Sequence, residues 1–302
     1  MFATHAQKTA LKTQIIRDIV EGRAAMAYDM DQTCANDTPG NHDKLPVNQE
    51  LTDIFNYLTQ RTHGAVAILT GRPSIYLETV MPEFKGIRAT ENGAMIRVNY
   101  EVLHKQNGHD IEMIKAIFRQ ECIDRLKAEI MTEGNTDNLD LNALSVEDHK
   151  EQTLTLQFTG VCGDIQKREK FARRLVELAN DLLHGEALLQ GYYEKHQVVR
   201  DNSYIEILPK GLDKGIALRN ISKMHSFQGK TIYYAGDSRS ADESAMIIAQ
   251  GTGGKGLGVT ADAPDLCDIR FTDYKEHVAF WADIVQTLKT MENAPKYSTL
   301  AR

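Results

Sequence analysis

Residues 24–33 read Ala-Ala-Met-Ala-Tyr-Asp-Met-Asp-Gln-Thr, a short apolar run that leads straight into two aspartates, Asp29 and Asp31. An uninterrupted run of this length, closed by a polar loop, is the pattern of a strand buried on both faces. The flanks extend the reading. Upstream, Leu11, Ile15, Ile16, Ile19 and Val20 fall at helical spacing and predict an amphipathic helix packed on the core. Downstream, a polar loop over 32–44 is followed by a helical pattern over 48–61, with Leu51, Ile54, Phe55 and Leu58 on one face. A second buried strand over 65–69 then stops at Thr70-Gly71-Arg72. Strands that alternate with helices predict a parallel sheet. Ligands of such sheets sit at the carboxyl ends of the strands, where Asp29 and Thr70 both fall.

The pattern changes near residue 100. A helical stretch over 111–130 and a polar loop over 132–142 precede the run QTLTLQF at 152–158, whose alternation predicts a strand with one solvated face. A helix over 165–183 and extended runs at 187–190 and 197–208 follow. After Gly211 the first style returns. A helix begins near Asp213, a buried strand over 231–235 ends in Gly236-Asp237, and helices are expected over 240–250 and 275–290. The expected fold class is α/β: a Rossmann-like core with a parallel sheet, residues 1–103 and 209–302, interrupted by an α+β insert, residues 104–208.

Composition narrows the function. Of 302 residues, 42% are hydrophobic and 25% charged, which suits a packed core. The net charge of −7 argues against non-specific binding to nucleic acid or an anionic membrane. Cys34, Cys122, Cys162 and Cys267 are widely spaced with no CxxC pair, so neither a disulfide framework nor a zinc site is expected. The first residues lack an apolar signal region, and no run approaches the roughly 18 apolar residues of a membrane span. A cytoplasmic protein, monomeric or a small homo-oligomer, is the expectation. The ten histidines show no metal-binding spacing. The segment GTGGKGLG at 251–258 lacks the spacing of a phosphate-binding loop and reads as a turn before a strand.

Four elements at strand ends carry the candidate chemistry: Asp29-x-Asp31, Thr70-Gly71-Arg72, Lys214, and Gly236-Asp237 through Asp242. Each alone is ordinary, since an aspartate after a strand commonly caps a turn. Together they match what phosphoryl transfer needs, a nucleophile in line with phosphorus and neutralised non-bridging oxygens. Asp29 can attack and form an aspartyl phosphate. Asp31 can protonate the leaving oxygen and then help deprotonate water. Asp29, Asp237 and Asp242 offer the hard oxygen ligands that Mg²⁺ prefers. The Thr70 hydroxyl and the amide after it can bind phosphate oxygens, and Lys214 supplies a positive charge.

In order and type, these elements resemble the four motifs of the haloacid dehalogenase superfamily of phosphatases. The resemblance implies that the backbone carbonyl of Asp31 also binds Mg²⁺, and that the insert is a C2-type cap. Within that superfamily the chain most resembles the trehalose-6-phosphate phosphatases, through HGAVAILTGRPSIYLETV, YIEILPKGLDKGIAL, GKTIYYAGDSRSADESAM and KEHVAFWADIVQTL. It implies a phosphoric monoester hydrolase acting on a small sugar phosphate, with Gly71 and Arg72 on the substrate and Asp148, Lys150 and Glu206 contacting the sugar from the cap. Gln32 stands where the family has Gly, and Ser238 where it has a second Asp. Sucrose-phosphate and mannosyl-3-phosphoglycerate phosphatases are alternatives of the same capped type. A non-catalytic sugar-phosphate sensor would need no acid/base.

Overall fold

The structure is a computed structural model that describes residues 2–36, 46–99, 101–105, 111–132, 139–185, 189–200 and 204–294. Parts of the expected loops over 32–44 and 132–142, and residues 187–188 and 201–203 of the expected extended runs, lie outside them. The chain forms two compact units: Met1–Gly71 with Ile75–Leu103 and Asp213–Arg302, and Arg72–Ser74 with His104–Leu212.

The elements in chain order begin with α1 (His5–Val20), β1 (Ala24–Tyr28), α2 (Gln49–Arg61), β2 (Val66–Leu69), α3 (Ser74–Val80), β3 (Ile87–Thr90), β4 (Met95–Val98) and β5 (Glu101–Lys105). The insert holds α4 (Ile111–Phe118), α5 (Arg125–Thr132), β6 (Ser145–Val146), β7 (Leu154–Gln157), α6 (Ile165–Gly185), α7 (Gln190–Tyr193), β8 (His196–Arg200) and β9 (Tyr204–Pro209). Then come α8 (Lys214–Ile221), β10 (Thr231–Gly236), α9 (Arg239–Gly251), β11 (Lys255–Val259), β12 (Ile269–Phe271) and α10 (Tyr274–Asn293). Among the described residues, no helix is long and apolar enough to cross a membrane.

The first unit is built on a sheet of order β12-β11-β10-β1-β2-β3-β4-β5. Strands from β12 to β3 pair in parallel, and β4 turns back antiparallel on β3. Chain order runs outward from β1 in both directions, through β2 and β3 on one side and β10, β11 and β12 on the other. That makes the carboxyl end of β1 a topological switch point, where an open α/β sheet leaves a crevice. Alternate residues of β1 feed two cores, because successive side chains leave opposite faces. Ala24, Met26 and Tyr28 pack with Ile15, Phe55 and Trp281 of α1, α2 and α10. Ala25 and Ala27 pack with Leu218 and Met246 of α8 and α9. Helix α1 starts at a capping box: the Thr4 hydroxyl accepts from the Gln7 N–H, and the Gln7 side chain accepts from the Thr4 N–H.

The second unit is an antiparallel sheet of order β6-β7-β9-β8. Leu154, Leu156, Ile205 and Ile207 point into one core with Phe118, Ile123, Leu175 and Leu178. Four expectations are corrected here. Strand β7 has no solvated face over 153–156, since Thr153 and Thr155 are as buried as the leucines beside them. The helix expected over 111–130 is interrupted by a π-helical segment, Arg119–Asp124, that turns Cys122 and Ile123 into the core. Gln190, expected to be extended, opens the short helix α7. Strand β11 also begins within the segment read as a turn, at Lys255.

The turn after β3 packs closely against α8. Glu91, Asn92 and Gly93 all adopt positive φ, and a Cβ on Gly93 would lie 2.3 Å from the Ala217 Cβ of α8. Glycine is required there on both counts. Gly93→Ala is expected to cost about 3 kcal/mol, from backbone strain and overpacking together. Urea denaturation checks it through a lowered midpoint at unchanged slope. An unchanged midpoint would contradict the packing.

Candidate active site

The carboxyl ends of β1, β2 and β10 and the start of α8 assemble the site. Asp29 follows β1 directly, and its N–H donates to the Ala235 carbonyl of β10 at 2.8 Å. The two strand ends are thereby locked side by side. Lys214 is the first residue of α8, placed by its neighbour Asp213, whose carboxylate caps the helix by accepting from the Ile216 N–H at 2.7 Å. The Lys214 ammonium is buried, 2.8 Å from Asp29 Oδ1 and 2.8 Å from Asp242 Oδ1.

Asp242 is completely buried in the first turn of α9, where the helix dipole favours negative charge. Its Oδ1 also accepts from the Tyr234 hydroxyl at 2.7 Å, and its Oδ2 from the Ser238 N–H at 2.8 Å. Ser238 in turn caps α9, its side chain accepting from the Ala241 N–H. Gly236 permits the approach, because a Cβ there would meet Asp242 Cγ at 2.3 Å. Asp237 completes the cluster, and its Oδ1 accepts from the Thr33 hydroxyl at 3.1 Å.

Oxygens of Asp29, Asp237 and Asp242 lie within 4.8 Å of one another. Fully ionised, three carboxylates facing one ammonium would leave an excess of two negative charges. Burial pushes the Asp29 carboxyl well above the usual carboxylate range, against the pull of Lys214. Burial, with Asp242 beside it, raises Asp237 to about 6. Burial pulls the Lys214 ammonium down, but Asp242 and Asp29 outweigh it and hold the group charged. A buried set of hard oxygen donors whose full ionisation leaves two negative charges uncompensated fits a divalent cation such as Mg²⁺.

The remaining expected residues divide. The Asp31 carboxylate accepts from the Tyr76 hydroxyl at 3.2 Å. Thr70 closes β2: its N–H donates to Ala89 O at 2.9 Å, and its carbonyl accepts from the Asn92 N–H at 2.9 Å. Gly71 lies against the Asn92 amide. Arg72 belongs to the second unit, with Asp148, Lys150 and Glu206. There, Lys150 and Glu206 form a buried ion pair. Asp148 is not drawn to Lys150. Its exposed carboxylate accepts from Arg119 at 2.7 Å, and its carbonyl accepts from the buried Lys115 ammonium at 2.6 Å. Sequence reasoning assigned no role to Thr33, Tyr76, Asn92 or Tyr234. Thr33 ends the stretch that opens the reading, whereas a tyrosine inside an apolar strand gives no signal of its hydroxyl's partner.

The fold is of the α/β class, with a carboxylate cluster and a buried lysine at the switch point of its parallel sheet. Residues 26–246 match the haloacid dehalogenase-like hydrolases, and the chain belongs to that family. Solved structures share the fold. A trehalose-6-phosphate phosphatase related protein is 16% identical with a TM-score of 0.58, covering 88% of this chain and 100% of that one. The C-terminal domain of C. albicans trehalose-6-phosphate phosphatase is 14% identical with a TM-score of 0.65, covering 91% and 96%. A haloacid dehalogenase-like hydrolase from Bacteroides thetaiotaomicron is 17% identical with a TM-score of 0.53, covering 89% and 99%. At such identities the likeness is one of fold. No curated protein matches the chain at a significant level.

Two predictions follow from the loop and the charge. Gln32 adopts φ 54°, a left-handed conformation that suits glycine. Gln32→Gly is therefore expected to raise stability by about 1 kcal/mol in chemical denaturation; a loss would contradict the strain. Asp237 has a folded value of about 6 against 3.8 for an unperturbed aspartate. Its stabilisation of the metal-free fold is full below about pH 4 and lost as pH rises through about 6. A cation competes with that proton, so MgCl₂ is expected to raise Tm by a few degrees near pH 7.5 and hardly at all near pH 5. A gain equal at both pH values would contradict this.

Proposed function

We propose that the protein hydrolyses trehalose 6-phosphate to trehalose and inorganic phosphate through a phosphoenzyme on Asp29. The observation that carries the phosphatase chemistry is the buried Lys214 ammonium, 2.8 Å from both Asp29 and Asp242, beside Asp237. The Asp29 carboxylate attacks phosphorus, and the bond between phosphorus and the sugar oxygen breaks. Asp31 gives its proton to that oxygen, and trehalose leaves. Asp31, now ionised, takes a proton from water as the water oxygen attacks phosphorus. The bond to Asp29 breaks, phosphate is released, and both carboxyls return to their starting states. Lys214 holds Asp29 in place and shields it from the anionic ester, while Thr70 and the Gly71 amide bind non-bridging oxygens. Asp29, Asp237, Asp242 and the Asp31 carbonyl would hold Mg²⁺, with Asp242 also fixing Lys214. When bound, the ion supplies positive charge to the phosphoryl oxygens.

For the sugar, the support comes from the second unit and from the motif resemblance. Lys150 and Glu206 are charged, buried and paired, and Thr155 lies opposite Glu206 in the sheet register. Charged groups held this way can hydrogen-bond sugar hydroxyls with little further ordering. The tie of Asp148 to Arg119 rather than to Lys150 favours keeping a second capped sugar phosphatase activity, on sucrose phosphate or mannosyl-3-phosphoglycerate, as the rival.

Asp29→Asn is expected to lower turnover on the order of a thousandfold or more, with the fold intact by circular dichroism. Full activity in that variant would remove the phosphoenzyme. A panel of sugar phosphates assayed with wild-type enzyme is expected to rank trehalose 6-phosphate first in kcat/KM. Another sugar phosphate ahead of it would replace the substrate but keep the chemistry.

A further inference from the structure

Helix α10 contributes no group to the chemistry above, yet it reaches the nucleophile loop through His277. The ring is completely buried, and it is gripped on two sides by Phe271 and Tyr28, with centroids 5.2 and 6.1 Å away. One turn further along α10, Trp281 Nε1 donates to His277 Nε2 at 2.8 Å. An indole N–H can only donate, so Nε2 is the acceptor and the ring proton sits on Nδ1. Nδ1 lies 2.8 Å from the Thr33 carbonyl oxygen, a bond that requires that same proton. Both contacts select one neutral tautomer. Burial, only partly offset by the Thr33 carbonyl, pulls the imidazole down to about 4 and keeps it neutral through the physiological range.

Thr33 is the residue that connects this ring to the carboxylates. It is fully buried, and its hydroxyl donates to Asp237 Oδ1 at 3.1 Å. It sits in a tight loop in which the Met30 carbonyl accepts from the N–H groups of both Cys34 and Ala35. A satisfied core histidine could have bonded any nearby carbonyl. This one bonds Thr33, the loop residue whose hydroxyl donates to Asp237. Gripping the carbonyl fixes the peptide plane on one side of Thr33 Cα, and so limits where its hydroxyl can point.

We propose that His277, held in one tautomer by Trp281, is a positioning residue for the candidate Mg²⁺ site: it fixes the Thr33 carbonyl and thereby aims the Thr33 hydroxyl at Asp237. The proposal rests on the assignment of Asp237 to that site. Partners that orient a metal-binding carboxylate from outside the coordination sphere are worth about 10- to 100-fold in metal affinity.

The test is calorimetric titration of the full chain with MgCl₂. His277→Leu removes the donor and is expected to weaken Mg²⁺ binding about tenfold. His277→Asn places an amide N–H near the position of Nδ1, and is expected to restore affinity to within about threefold of wild type. A loss in His277→Leu without rescue by Asn, or no loss at all, overturns the positioning role. Should His277→Leu fail to fold, Trp281→Phe decides, because it keeps an aromatic ring in the core while removing the indole donor: a loss of about threefold or more supports the proposal, and wild-type affinity overturns it. Asp237→Asn separates the two levels. Wild-type Mg²⁺ affinity in that variant would sink the site assignment itself, whereas its loss beside an unaffected His277→Leu would sink only the role of His277.

Discussion

One buried ammonium, that of Lys214, sets the arrangement of everything around it. A lysine that is 4% exposed keeps its charge only if oxygen partners lie close enough to offset lost hydration. Asp29 comes from the chain before the insert, and Asp242 from the chain after it. The ion triad therefore ties the two halves of a split core together. Its geometry depends on small residues. Gly215 lets α8 close on α9, with its amide donating to the Ser244 hydroxyl at 3.1 Å, and Gly236 lets Asp242 reach the lysine. The alanines of β1 and β2 keep the sheet surface low beneath both helices. Removing one partner of such a buried pair leaves a charge uncompensated, which typically costs about 3–5 kcal/mol.

The same constraint explains which parts of the molecule were legible in the sequence. Strands β1, β2 and β10 are buried on both faces and read as apolar runs, so both their place and the carboxylates at their ends were visible. Strands β3, β4 and β12 are short and carry Arg88, Arg97 and Arg270, which masked them. The burial of Arg88 depends on the Met81 and Pro82 carbonyls, partners that no local pattern reveals. Strand β7 looked half-solvated because threonines alternate with leucines, and threonine does not say whether its face meets water or other polar groups. The supporting hydroxyls of Thr33, Tyr76 and Tyr234 stayed hidden for a similar reason: their partners lie 204, 45 and 8 residues away in the chain.

The second unit follows a different logic. Its charged residues are not gathered on one centre but spread over a polar framework. Lys150 and Glu206 neutralise each other in the interior, while Lys115 and Arg119 hold the main chain and side chain of Asp148. Both come from the stretch where α4 gives way to the π-helical turn, a kind of local irregularity often found near functional positions. In the function proposed above, reaction type and substrate choice reside in separate units of the chain. The first is written in strand ends that any buried parallel sheet makes readable. The second is written in loop and helix contacts that no local pattern reveals.

The central claim is that the carboxylate held by Lys214 becomes phosphorylated during turnover. Borohydride reduces an acyl phosphate of aspartate to homoserine, which marks the attacked residue permanently. Quenching the enzyme with borohydride during turnover of a sugar phosphate and sequencing the peptides by mass spectrometry is predicted to find homoserine at position 29 and aspartate intact at 31, 237 and 242. Phosphate release with Asp29 unmodified, or a label on another carboxylate, would contradict the account.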